Sequence, residues 1–432
     1  MRKKEISIIL FALFSGCIFF LAFNKHSKSG IFTYHSVIWS DKAGYYIYLP
    51  AVFKYHLHPE DFPDSIENKT GQGFHLDLIN NKIITKYTYG IALLQLPFFF
   101  TADMLAKPMN FENNGFSLIY DWAINIASVF YLLMGLILLR RFLLFFTRQN
   151  VVLTAILSIF LGTNLYYYSI DETGMSHVYS FFLFSYFLYL IKKTNYLVGQ
   201  NFWKYFEFGI VTSLIVIIRP SNIVFISTFF FLDIDSWSGL ILRIKTFFRY
   251  KALIPFILGA IILLLPQIAY WKYAFGSIIY YTYGHESFNW INPKIQLVFF
   301  SPSNGLFLYC PFVFIIVTSM IYMVKKRIIS GIFFLWLFLV ISYVFSSWWD
   351  CGFGCAFGAR SYVEYMAIFS IPVVYLYNHI ITLKPLKIIL FTCLVIALII
   401  FNLKMTYSYD GCFYGGTWDW HAYIKLVTSP TK

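Results

Sequence analysis

The chain of 432 residues predicts an all-α polytopic membrane protein. It is read with about eleven transmembrane helices and a long first extracytoplasmic loop bearing interfacial helices. Three observations carry this. Hydrophobic residues make up 59% of the chain and charged residues 12%, far from a soluble composition. Several apolar runs exceed about 18 residues, enough to cross a hydrocarbon core. The basic residues fall in short clusters at every second loop: Arg2/Lys3/Lys4, Arg140/Arg141/Arg148, Lys192/Lys193/Lys204, Arg243/Lys245/Arg249/Lys251, Lys325/Lys326/Arg327 and Lys384/Lys387. That spacing is the positive-inside signature and assigns each loop to a side. The net charge of +13 follows from orientation over anionic lipid and is not a nucleic-acid footprint.

The first apolar run follows Met1–Glu5 and extends from Ile6 to Phe23. Phe14-Ser15-Gly16-Cys17 hints at a lipoprotein cleavage box, but the run outlasts a signal-peptide core and reads as a first membrane helix. Spans are expected near 6–24, 118–139, 151–168, 177–191, 206–218, 221–234, 252–271, 305–323, 329–346, 362–380 and 386–403. Residues 87–106 are apolar enough to span, yet a span there would invert every later basic cluster. They are read as an interfacial or re-entrant element, in keeping with Lys86, Pro97 and Asp103. The stretch 206–235 is divided at Arg219-Pro220-Ser221-Asn222, because proline removes a helix hydrogen bond and arginine is expensive at bilayer depth. Two short helices then meet at an outer turn; one kinked helix is the alternative. The chain is one integral membrane domain over 1–432. Its extracytoplasmic parts include 25–117 and the tail 404–432, with the N-terminus cytoplasmic and the plasma (inner) membrane as the location. Cys351 and Cys355 share an expected outer loop, as a bridge or as two small apolar residues.

The candidate chemistry lies on the outer segments. Trp39-Ser40-Asp41-Lys42-Ala43-Gly44-Tyr45-Tyr46 puts an acid before an aromatic amphipathic stretch at the interface. Asp41 there is a general base, a metal ligand or a helix cap. Asp171-Glu172-Thr173-Gly174-Met175-Ser176-His177 gathers two carboxylates and an imidazole between membrane helices, as a cation or phosphate–metal site or as solvated loop charge. Ser347-Trp348-Trp349-Asp350 and the glycine-rich stretch to Arg360 offer flat faces for sugar rings and a guanidinium for phosphate, or an aromatic belt with a glycine turn. Lys86, Arg219 and Arg360 are the cations suited to a shared outer cavity, with His285 and Glu286 beside it. Trp418-Asp419-Trp420-His421 reads as an interface anchor. A P-loop, a paired-cysteine zinc site and a nucleotide-binding glycine fingerprint are lacking from the sequence.

The pattern resembles the GT-C class of membrane glycosyltransferases, with protein O-mannosyltransferases and bacterial aminoarabinose transferases as relevant members. The resemblance rests on Asp41-Lys42-Ala43-Gly44-Tyr45-Tyr46 soon after the first helix and on an acid in the second outer loop, matching Asp171 or Glu172. It also rests on Arg219-Pro220 at an outer turn, and on Lys86-Tyr87-Thr88-Tyr89-Gly90-Ile91 leading into an apolar stretch, which lacks the prolines that family members often carry there. It implies an inverting transfer from a polyprenyl-phosphate-linked sugar to a glycan, lipid or protein acceptor, with Asp41 as base and cations on the departing phosphate. Asp171 and Glu172 would be the catalytic acids and the ligands of a divalent cation such as Mg or Mn, which some members of the class do without. His177, Arg219, His285, Trp348, Trp349, Arg360 and Lys86 would bind substrate. The competing classes are a transporter or flippase, which would favour two similar halves, a surface polysaccharide polymerase or ligase, and a non-enzymatic scaffold.

Overall fold

The computed structural model describes residues 3–28, 30–234, 236–326, 328–354, 356–409 and 419–429, over 3–8 as backbone only. The protein is an all-α integral membrane protein. Among the described residues, four helices are long and apolar enough to cross a membrane: Ile9–Ser27 within Lys3–Ser27, Leu118–Leu143, Tyr250–Phe275 and Pro385–Ser408. Tyr250–Phe275 and Pro385–Ser408 are mostly unburied, with Ile262, Leu265, Leu390 and Ile400 among the aliphatic residues they present outward. Such continuous apolar flanks need lipid rather than water as their solvent.

The helices Ser176–Lys193, Phe202–Ile218, Val313–Lys325, Ser330–Ser346 and Met366–Ile380 complete the main bundle. Two close crossings hold it on one side. A Cβ on Gly209 would meet the Phe256 carbonyl at 2.1 Å, and one on Gly259 the Phe206 carbonyl at 2.2 Å. Phe202–Ile218 and Tyr250–Phe275 therefore touch backbone to backbone, the use small residues serve between membrane helices.

Three expected spans are divided. The one near 151–168 consists of Gln149–Gly162 and Asn164–Ile170, bent by 70°. Thr163 is extended there and caps the second piece by accepting from Leu165 N. The Asn402 amide donates to the Leu161 and Thr163 carbonyls at 2.9 and 3.0 Å, replacing lost helical donors. The one near 305–323 has a short turn, Leu306–Tyr309, before Val313–Lys325. Pro311 disfavours helical geometry at Cys310, which ends the first piece. The one near 221–234 is a 3-10 turn, Pro220–Asn222, followed by Ile223–Ile226 and Thr228–Phe231. Arg243 binds the loose carbonyls of Phe229 and Leu232 at 2.9 and 2.7 Å. It lies on Trp237–Phe247, an amphipathic helix where the basic cluster predicts a loop.

A second packed unit, gathered from residues between Val37 and Ile124, lies against the bundle. Its core joins Val37, Tyr46, Phe62, Phe74, Phe99 and Phe116, among others. The apolar stretch at 87–106 is the helix Gly90–Ala106, which packs against Leu118–Leu143. A small hairpin, His75–Asp77 with Lys82–Ile84, sets Leu76 opposite Ile83 and buries Ile83. Tyr270 and Tyr273 hydroxyls accept from Thr85 N and Ile83 N at 2.7 and 3.1 Å, fixing the hairpin to Tyr250–Phe275. The choice between a Cys351–Cys355 bridge and two unpaired residues falls on Cys355, which lies outside the described residues, as does Trp418 of the tail.

Candidate active site

Asp41 opens the short helix Asp41–Tyr46. Ser40 before it has φ +48°, a left-handed backbone that is costly for a non-glycine residue, and its side chain makes no cap bond. The Asp41 carboxylate faces the site: Oδ1 accepts from the Tyr87 hydroxyl at 2.5 Å and Oδ2 from Arg360 Nη2 at 3.1 Å. Burial alone would push this carboxyl up. Arg360, the Tyr87 hydroxyl and Lys86 outweigh it and hold the carboxyl below the usual carboxylate range. Arg360 is held reciprocally: burial opposes its charge, and Asp41 together with Tyr168, Tyr45 and Tyr87 outweighs it, so its pKa is raised.

The strand-like approach to Asp41 is tightly clamped. Ser40 N donates to the Thr70 carbonyl at 2.8 Å, and Thr85 Oγ1 to the Gly44 carbonyl at 3.0 Å. A Cβ on Gly73 would sit 1.9 Å from the Ser40 carbonyl oxygen, so only glycine fits. Tyr45 and Tyr87 pack with ring centroids 4.4 Å apart.

The segment after Asn164–Ile170 is a buried turn. Asp171, Thr173, Ser176 and His177 are all buried, which sets aside the reading of solvated loop charge. Each acid has a lysine: Lys25 lies 2.5 Å from Asp171, and Lys42 2.8 Å from Glu172. Burial pushes the Asp171 carboxyl up, against the pull of Lys25. Among the described residues, no group of three or more His, Cys, Asp or Glu is placed to hold a metal ion. Two carboxylates each engaged by a lysine are a poor donor set for Mg or Mn, which need several hard oxygen ligands. The expected divalent site at Asp171 and Glu172 does not fit these residues.

Arg219 ends Phe202–Ile218 where Pro220 stops the helix. Its Nη1 lies 3.4 Å from Glu364 Oε1, and His177 Nδ1 lies 2.9 Å from Glu364 Oε2. Arg219 Nη1 also lies 2.9 Å from that same Nδ1, so the ring nitrogen either donates to Glu364 or accepts from Arg219, and the carboxylate faces Arg219 in both cases. Sequence reasoning missed Glu364. It stands four residues after Arg360 in the stretch that attracted attention, and an acid at the mouth of an apolar span was the available signal.

The segment 276–294 crosses the site as a strap. Glu286 pairs with Lys86 at 2.8 Å, and Thr282 Oγ1 donates to the Lys86 carbonyl at 2.6 Å. Phe288 forms a β-bridge with Trp348, and their rings meet edge-on at 4.8 Å. Asp350 accepts from Gly352 N and Gly354 N at 3.2 and 2.8 Å, shaping the glycine turn that leads to Arg360. Asn164 Nδ2 donates to the Gly358 carbonyl at 2.6 Å from the bent helix.

These parts enclose one cavity of about 1210 Å³. Of the ten candidate catalytic and substrate-binding residues, all but His285 line it: Asp41, Lys86, Asp171, Glu172, His177, Arg219, Trp348, Trp349 and Arg360. His285 is exposed on the strap, and its neighbour Glu286 faces the cavity instead. A second cavity of about 600 Å³ shares Ser40, Asp41, Lys86, Tyr87 and Thr282 with the first.

No protein-family model matches the chain. No curated protein matches it in sequence. Among solved structures, the archaeal oligosaccharyltransferase AglB from Archaeoglobus fulgidus, in complex with an inhibitory peptide and a dolichol-phosphate, is similar. The TM-score is 0.52 at 13% identity, over 100% of this chain and 61% of that one. This chain thus spans about three fifths of that neighbour's length. The likeness is one of fold, and the fold is GT-C-like.

Proposed function

We propose that the protein is an inverting glycosyltransferase that moves a sugar from a polyprenyl-phosphate donor to an acceptor at the extracytoplasmic membrane face. Eleven spans, a cytoplasmic N-terminus and the plasma (inner) membrane belong to this reading, and the alternating basic clusters support them. The observation that carries it is Asp41, a carboxylate held ionised by Arg360 in a cavity that also contains Lys86 and Arg219.

The acceptor hydroxyl attacks the anomeric carbon from the side opposite the phosphate. As the new C–O bond forms, the bond to the phosphate oxygen breaks and the hydroxyl proton passes to Asp41. The phosphate leaves with its electron pair, and Arg219, Arg360 and Lys86 meet the charge that develops there. A carboxyl of low pKa takes the proton late, once bond formation has made the hydroxyl acidic. Asp171 and Glu172 act through their lysines, keeping Lys25 and Lys42 against the cavity wall; no step passes through a metal. The neighbour's complex with a dolichol-phosphate fits a lipid-linked donor for this chain.

The test is transfer by the purified full chain in lipid nanodiscs, supplied with radiolabelled undecaprenyl-phosphate hexoses and envelope extract. Asp41→Asn should abolish label transfer while the protein stays folded. Wild-type transfer in that variant removes Asp41 as the base.

A further inference from the structure

The two cavities differ in chemistry, and Asp41 stands in the wall between them. The larger runs along aromatic residues such as Tyr45, Trp271 and Trp348, with the arginines at its floor. The smaller is framed by polar side chains from the turn 67–75: Glu67, Asn68, Gln72 and His75. Phe74, Tyr87 and Phe275 supply aromatic faces beside them. Its volume of about 600 Å³ falls in the range of small-molecule clefts, about 300–1,000 Å³.

The polar frame is built. Glu67 Oε1 accepts from Leu76 N at 2.7 Å and lies 2.9 Å from His75 Nδ1. Gln72 Nε2 donates to Asn68 Oδ1 at 3.1 Å. Gly71, at φ +73°, lies under the Trp39 ring so closely that a Cβ would meet Cε2 at 2.5 Å. With Gly73 against Ser40, the turn is pressed onto the backbone that presents Asp41. Each Asp41 oxygen makes one bond in this structure, so each keeps a lone pair for a further donor.

We infer that the smaller cavity is the acceptor pocket and that its ligand is a carbohydrate, whose hydroxyl reaches Asp41 from the side away from the lipid-linked donor. This rests on the glycosyltransferase reading and names its second substrate class. Planar carboxylate and amide groups match pairs of neighbouring hydroxyls, each offering acceptors and donors in one plane. The aromatic faces match the apolar face of a sugar ring. A lipid acceptor would set hydrocarbon against the amides of Asn68 and Gln72, whose mutual bond uses one donor and leaves their other donors unmet. A peptide would need free main-chain partners along a strand edge, and at this hairpin Leu76 N is taken by Glu67 and Ile83 N and Thr85 N by the Tyr273 and Tyr270 hydroxyls.

The experiment is saturation-transfer NMR on the full chain in nanodiscs. The probes are methyl α-D-mannopyranoside, methyl β-D-glucopyranoside, methyl β-D-N-acetylglucosaminide and a blocked Gly-Ser-Thr peptide. At least one glycoside should bind, about tenfold or more weaker in the Asn68→Ala/Gln72→Ala double variant. Both side chains are exposed, so the fold survives their loss. Arg219→Ala, at a position outside the smaller cavity's lining, should keep glycoside binding. Absence of any glycoside signal, a signal indifferent to Asn68 and Gln72, or peptide binding that these substitutions remove would each overturn the proposal. Because the readout is binding, it separates the two ideas. Glycoside binding lost only in the double variant, alongside normal transfer by Asp41→Asn, sinks the base and leaves the pocket. Abolished transfer in Asp41→Asn without glycoside binding does the reverse.

Discussion

Arg360 Nη2 donates to the Asp41 carboxylate across 3.1 Å, joining residues 319 positions apart in the chain. One lies in the first long segment and the other in the glycine turn before Met366–Ile380. The pair is one bolt between the two packed units, and it sets the charge state of the acid.

Removing that bolt should change the acid's titration. With Arg360→Ala the largest downward influence on Asp41 is gone, while burial still pushes the carboxyl up. The pH at which Asp41 becomes reactive to a water-soluble carbodiimide, read by peptide mass spectrometry, should therefore rise. The linkage has a definite sign. Asp41's folded pKa lies below its unfolded value, so the pair's stability is present above the unfolded pKa and lost as pH falls through the folded one. Arg360→Ala should flatten that acid-side loss, and an unmoved labelling midpoint would contradict the account.

Glu364 is fully buried between His177 and Arg219. Glu364→Ala leaves the half-buried Arg219 without its counter-charge and the buried His177 without its acceptor, and should cost about 1–3 kcal/mol. Glu364→Gln keeps the shape and one acceptor and should cost less. Intrinsic-fluorescence melting of the full chain measures both, and equal melting of Glu364→Ala and wild type would show the pair to be idle.

Gly73→Ala drives a methyl into a backbone oxygen that has nowhere to go. Destabilisation of about 1–3 kcal/mol or more is expected, with a displaced Ser40–Asp41 backbone and weakened transfer. Gly16→Ala is the control: nothing lies within 4 Å of its added Cβ, and alanine suits a helix better than glycine. The two variants should separate clearly in the same melting assay.

The proposed orientation predicts side-specific labelling. In a cysteine-free background, a cysteine at residue 75 should react with a membrane-impermeant maleimide on intact cells, and one at residue 245 only after lysis. A residue 75 that labels only after lysis would turn the layout over.

How far the sequence reading reached depends on which interactions are local. Basic clusters and apolar runs are local, so the membrane class and the bundle helices were legible within a few residues. Breaks were partly legible. Pro220 announced its own, whereas Thr163 breaks its helix because Asn402, far along the chain, supplies replacement donors. The lysine partners of Asp171 and Glu172 were not legible, because Lys25 and Lys42 reach them only through tertiary packing. An acidic doublet therefore read as a cation site. His285 and Glu286 are adjacent, and only the course of the strap decides which one faces inward. The hairpin at 75–84 is too short for a period-2 pattern to rise above its surroundings.

The helix Tyr250–Phe275 has one flank in oil, while its last turns are fastened by two tyrosine hydroxyls to the ribbon that runs into Lys86 and Tyr87. Gln267 of the same helix accepts from Tyr89 N at 3.0 Å, a third rivet just past the residue that touches Asp41. The side of the cavity that holds Lys86 and Tyr87 is thus carried on a stave of the bilayer-facing wall, and any tilt of that stave moves it too.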